Sequence, residues 1–172
     1  MSKPVVIVES PNKIKKLTKL MGDRYIFTAS VGHIRDLPTR EMGVAAPDYE
    51  PTYVVSDDKK KVVASLKSLC AGKEVILATD PDREGEAIAW HLAEVLRLRS
   101  PQRVTFDEIT QSALEQAFAR PRTLNRDLVS AYAGRRVLDR LVGFKVSQAL
   151  SNLTGDRYSA GRVQFRSLGI SQ

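Results

Sequence analysis

The order of hydrophobic and polar positions divides the chain into short apolar runs separated by amphipathic stretches. Residues 3–9 are an aliphatic, β-branched run ending in Glu9, the pattern of a buried strand. Ser10-Pro11 then opens a helix, because serine is a good cap and the missing proline N–H costs nothing in a first turn. Ile14, Leu17, Leu20 and Met21 give that helix one apolar stripe, and Gly22 ends it. Further along, strands are predicted over residues 24–29, 74–78 and 103–106, a surface helix over 58–70, and helices over 85–97 and 111–120. Alternation of this kind predicts an α/β fold, a parallel sheet flanked by helices. After Pro121 the pattern is helical alone, from about Asn125 to Leu150, with Leu128, Ala131, Leu138, Val142, Val146 and Ala149 forming the expected apolar face. The expected division is therefore an α/β domain over 1–121 and the opening of a helical domain over 122–172. Residues 31–51 contain Gly32, Pro38, Gly43, Pro47 and Pro51 without a period and form a long irregular loop, a kind that usually carries function.

Charge adds a direction to this layout. The 172 residues carry 27 Lys and Arg against 20 Asp and Glu, a formal net charge of +7, and 42% are hydrophobic. The surplus is uneven: residues 1–102 hold 16 basic and 14 acidic side chains, residues 103–172 hold 11 and 6. The C-terminal part is the expected polyanion-binding face. Apolar runs such as Val5-Val6-Ile7-Val8 fall far short of the ~20 residues that span a membrane, and the brief run before Glu9 is no secretory signal. The single cysteine, Cys70, excludes an internal disulfide and a multi-cysteine zinc site, which fits a reducing cytoplasm.

The segment richest in chemistry is Ala78-Thr79-Asp80-Pro81-Asp82-Arg83-Glu84-Gly85-Glu86, directly after a predicted buried strand. In an open parallel sheet, functional groups gather at the carboxyl ends of the strands. If the strand ending in Glu9 is its neighbour, Glu9, Asp80, Asp82 and Glu84 converge, and their repulsion is relieved by a cation. Oxygen ligands that leave positions for water and phosphate favour magnesium, Mg2+. A solvated acidic loop supporting the next helix dipole explains the same spacing. Lys13 sits in a first helical turn that already attracts anions, so it is a phosphate-facing candidate or one of several exposed lysines. His33 lies in the long loop. Tyr132, Arg136 and Arg140 share a helical stripe, with Asp139 placed to pair with Arg135 or Arg136; a solvated, salt-bridged face accounts for these too. Ser159, Gly161, Arg162 and Gln164 combine small residues with donors, or form a plain turn.

Together these segments resemble the N-terminal part of bacterial type IA DNA topoisomerases, beginning with their Toprim domain. Val8 to Lys13, Ser30 to Pro38, Ala78 to Leu92, Arg135 to Phe144 and Ser159 to Gln164 carry the likeness, in the family's order. The resemblance implies a Mg2+ and proton-transfer site of Glu9, Asp80, Asp82 and Glu84, with Glu9 as the catalytic acid or base. It implies that Lys13 and His33 face the DNA backbone. Arg135, Arg136, Asp139 and Arg140, with Ser159, Gly161, Arg162 and Gln164, would line the path of a single strand of negatively supercoiled duplex. In that family a tyrosine breaks one strand, keeps its 5′-phosphate, lets another segment pass and reseals the break without ATP. The implied setting is cytoplasmic, at the nucleoid, with no membrane partner.

Two departures accompany the likeness. The family's Ser-x-Gly-Arg-Val-Gln segment continues into a long helix, whereas here the sequence runs from Phe165 only to Gln172. The nucleophilic tyrosine has arginine two residues on, and none of Tyr25, Tyr49, Tyr53, Tyr132 and Tyr158 does. The expectation is a partial topoisomerase, inactive without the remainder of the chain. A Toprim metal-dependent nuclease and a non-catalytic DNA-binding fragment are the alternatives.

Overall fold

The computed structural model describes residues 2–154. Four parallel strands make the main sheet: β1 (Val5–Val8), β2 (Ile26–Ala29), β5 (Val75–Leu77) and β6 (Gln102–Arg103), in the order β2-β1-β5-β6. Val5 to Val8 pair with Ile26 to Ala29 on one side, and Val5 to Ile7 with Val75 to Leu77 on the other. Both central strands are apolar at every position, as expected where both faces are covered.

Alternation along these strands sends side chains to two cores. Val5, Ile7, Val75 and Leu77 pack with Val63, Leu66 and Cys70 of α2 (Lys60–Cys70) and with Ile88, Ala89, Leu92 and Ala93 of α3 (Arg83–Leu96). Val6, Val8, Ile76 and Ala78 pack on the opposite face with Leu17 and Met21 of α1 (Ile14–Met21) and Leu114 of α4 (Gln111–Ala119). Two helices thus cover each face. The α2 helix, read from sequence as a surface helix, buries one side.

Local signals explain the boundaries. Ser10 caps a short 3-10 turn at Pro11–Lys13 by accepting from the Asn12 N–H, and α1 follows it. Gly22 ends α1 at a positive φ of 63°, and Arg97 ends α3 in the left-handed region at 54°. The long loop over 31–51 is mostly irregular as expected, but it contributes a strand, β3 (Arg35–Asp36), which pairs with β4 (Val54–Val55) in a two-stranded sheet.

The last helix, α5 (Arg126–Thr154), extends past the predicted Leu150 and departs from its predicted phase. Val129 is buried, whereas Ala131 and Ala149 are exposed and Leu138 is 52% exposed. Tyr132, Arg136 and Arg140, expected on a solvated face, are each partly buried. The cause is visible in the sequence: apolar residues occur all around α5, so periodicity does not single out one face. By compactness the described residues form two units, residues 2–36 with 55–132, and residues 37–54 with 133–154.

Candidate metal and nucleic-acid site

Because β1 and β5 are adjacent and parallel, their carboxyl ends deliver Glu9 and the Asp80 to Glu84 turn to the same edge of the sheet. The loop after β2 joins them there, its Ser30 N–H bonded to the Val8 carbonyl and its Gly32 N–H to that of Glu9. Between these two, Val31 holds a φ of 58°, and its carbonyl accepts from Lys59 Nζ at 2.9 Å. A β-branched residue in the left-handed region is strained, and such strain clusters at functional sites.

The acidic turn is knit to itself. Asp82 caps α3 by accepting the Gly85 N–H at 2.6 Å, the Glu86 N–H bonds the Asp82 carbonyl at 3.0 Å, and Thr79 Oγ1 donates to the Gly85 carbonyl at 2.5 Å. Asp80 Oδ1 forms an ion pair with Lys13 Nζ. Glu84 Oε1 meets His33 Nε2 at 3.1 Å, and the same nitrogen lies 3.3 Å from the Tyr132 hydroxyl. The Tyr132 and His33 rings stack at 5.2 Å, which fixes the imidazole plane.

The electrostatics register the crowding. Desolvation pushes the Glu9 carboxyl above its ordinary value, and the charges of Asp80, Asp82 and Glu84 push the same way against Lys13. Among the described residues, however, no group of three or more His, Cys, Asp or Glu side chains is set to hold a metal ion as the side chains stand. Asp80, Asp82 and Glu84 are each turned to a protein partner. The donor set itself, carboxylate oxygens with mutual repulsion, suits a hard divalent cation such as Mg2+.

The predicted strand-path residues lie on α5. Arg135 Nε stands 3.8 Å from Asp139 Oδ2, one turn on; Arg140 donates to the Leu37 carbonyl at 3.4 Å, with its guanidinium over the Phe144 ring. Arg136 is partly buried. Ser159, Gly161, Arg162 and Gln164 fall outside the described residues.

Three groupings were missed by sequence reasoning. Tyr132 was placed on a helix stripe without its contact to His33. Arg35 Nε donates to His91 Nδ1 at 2.9 Å while its guanidinium lies over Trp90, which anchors the loop carrying His33. Burial and the Arg35 charge depress His91 to a pKa of about 3, so it is neutral. The third grouping joins Arg103 and Glu86, both fully buried, to Arg122. A usable signal existed: Glu86 interrupts the buried run Gly85 to Ala89, and an acid in an apolar stripe requires a cation.

A family model for the Toprim domain matches residues 4–109. The chain belongs to the Toprim family. It is 56% identical over 161 residues to a plasmid DNA topoisomerase I of Xylella fastidiosa (strain 9a5c), a match that takes in 93% of this chain and 24% of that protein. It superposes with a TM-score of 0.84 and 42% identity on full-length topoisomerase I from Thermotoga maritima, over 93% of this chain and 28% of that one. The Toprim chain thus spans about a quarter of the length of these relatives.

Proposed function

We propose that this Toprim chain is the N-terminal part of a type IA DNA topoisomerase and supplies the Mg2+ site and part of the single-strand path. The observation that carries this reading is the delivery of Glu9 and of the Asp80 to Glu84 turn to the same carboxyl ends of the adjacent, parallel β1 and β5, in a chain 56% identical to a topoisomerase I. Residues 1–121 are the Toprim domain and 122–172 the start of a helical DNA-binding domain. The matched family segment ends at 109, and α4 extends it because Leu114, Ala117 and Phe118 pack into the second core.

Glu9, Asp80, Asp82 and Glu84 would hold Mg2+, which when bound neutralises charge on a phosphodiester. In the proposed reaction a tyrosine from the remainder of the enzyme attacks the phosphorus, its phenol proton passing to water as the Tyr O–P bond forms, while the P–O bond to the departing 3′-oxygen breaks and that oxygen needs a proton. Glu9 is proposed as the acid that gives it and the base that takes it back on resealing, with Asp80, Asp82 and Glu84 then carrying the ion. Lys13 and His33 would hold the phosphate, His33 being oriented by Glu84 and Tyr132. Arg135, Arg136, Asp139 and Arg140, with Ser159, Gly161, Arg162 and Gln164, would guide the strand. Among the described residues no helix is long and apolar enough to cross a membrane. The cytoplasmic, nucleoid-associated setting is proposed from the likeness to DNA topoisomerase I alone.

Calorimetric titration of Mg2+ into the full chain tests the reading: binding is expected, lost in Glu9→Gln and Asp80→Asn. Supercoiled plasmid should keep its linking number in the same preparation. Absence of Mg2+ binding overturns the metal site, turnover removed by a Tyr→Phe change overturns the incompleteness, and Mg2+-dependent release of free DNA ends assigns the chain to a Toprim nuclease instead.

A further inference from the structure

The last acid of the Asp80 to Glu86 segment has no part in the proposed metal set, and its surroundings give it a different task. Glu86 is fully buried and accepts from four donors: Arg103 Nε at 3.1 Å, the Arg122 fork at 3.0 and 2.8 Å, and the Asn125 N–H at 2.6 Å. Arg103, equally buried, spends its other N–H groups on main-chain carbonyls: Leu77 at 3.2 Å, Thr79 at 2.8 Å, Val104 at 2.8 Å and Asp80 at 2.7 Å. A planar guanidinium with one nitrogen fixed by a carboxylate has little freedom left in the others.

We propose that Glu86 and Arg103 are positioning residues for the acidic turn: Glu86 orients Arg103, Arg103 grips the carbonyls of Thr79 and Asp80, and Glu86 also ties the turn to Asn125, which opens α5. Asn125 Oδ1 in turn accepts from the Asp127 and Leu128 N–H groups at 3.0 and 3.1 Å, so one carboxylate sets both the presentation of Asp80 and Asp82 and the first turn of α5. The inference rests on the Mg2+ reading for what the turn holds, and on its own geometry for how the turn is held.

The test compares the full chain with Glu86→Gln and Arg103→Lys, and with Arg122→Gln, which keeps the Glu86–Arg103 pair and folds most readily because Arg122 is partly exposed. Amide hydrogen exchange is read at Gly85 and Asn125, with Ile26, bonded to the Pro4 carbonyl at the opposite end of the sheet, as the distant reference. In Glu86→Gln and Arg103→Lys, exchange at Gly85 and Asn125 should accelerate about tenfold relative to Ile26, and Mg2+ affinity should fall about tenfold at unchanged stoichiometry, as for partners just outside a metal's ligands, whereas Arg122→Gln should leave Gly85 and the affinity near their unaltered values. A merely structural role would lower the unfolding temperature and speed all amides together, leaving the folded chain's Mg2+ affinity intact. Uniform exchange in the folded variants overturns the inference. If the unaltered chain binds no Mg2+ while Gly85 still responds selectively, the metal reading fails and the positioning stands.

Discussion

At Gly85 the absence of a side chain is a requirement of the site. A Cβ there would fall inside contact distance of the Asp80 carbonyl oxygen, the atom that Arg103 grips. Gly85→Ala must therefore move the acidic turn or the start of α3, and we expect a loss of about 3 kcal/mol in urea unfolding, the upper part of the range for overpacking. A second expectation concerns His91, neutral in the folded chain and facing Arg35, His33 and Asp36. Its folded pKa of about 3 lies below the unfolded 6.5, so the unfolded chain binds the extra proton as pH falls through that window. Stability conferred by the neutral ring is complete above pH 6.5 and is lost on acidification, by about 2 kcal/mol at pH 5 at 1.4 kcal/mol per unit. Denaturant midpoints at the two pH values should diverge in the wild type and converge in His91→Gln. Neither site was legible in the sequence. Gly85 reads as a helix-start glycine until the Asp80 carbonyl is found behind it, and His91 sits in an apolar helix stripe where any buried residue is equally plausible. Glu9 and the Asp80 to Glu84 cluster were legible because a carboxylate just past an apolar strand has only one end of a parallel sheet to occupy.

At the scale of elements, legibility followed the strength of the period. The four strands of the main sheet and α1 to α4 were predicted within a few residues because each carries a clear apolar run or stripe bounded by a local signal, such as Gly22 after α1, whereas the short β3 and β4 carry no such run. The inward face of α5 was not, since Leu128, Val129, Leu138 and Val142 point in several directions and the choice is made by tertiary contact. What α5 does have is a defined start. Asn125→Ala removes the acceptor of two N–H groups and should cost about 1 kcal/mol. For a chain of this size that lowers the unfolding temperature by about 2–4 °C. Asn125→Asp should retain the cap, and equal losses in both variants would show that the side chain is not what holds the first turn.

For the molecule as a whole, charge and coverage act together. The net +7 is concentrated after residue 102, and on α5 it takes the form of the adjacent Arg135 and Arg136, with Arg140 about one turn beyond Arg136. If the proposed strand path runs over these arginines, ion release should dominate the affinity for single-stranded DNA. Each phosphate neutralised on a single strand contributes about 0.7 to the slope of log affinity against log salt. Replacing the three arginines together by alanine should flatten that slope by about 2, measured by fluorescence anisotropy of a labelled single-stranded oligonucleotide between about 50 and 200 mM salt. Of the three, Arg135 is already near Asp139 and Arg140 near the Leu37 carbonyl, so a phosphate must compete with those partners. Asp139→Asn, which frees Arg135, should strengthen binding at low salt and steepen the slope. A slope unchanged in the triple variant would place the strand on another face of the molecule, with the lysines of α1 the next candidates.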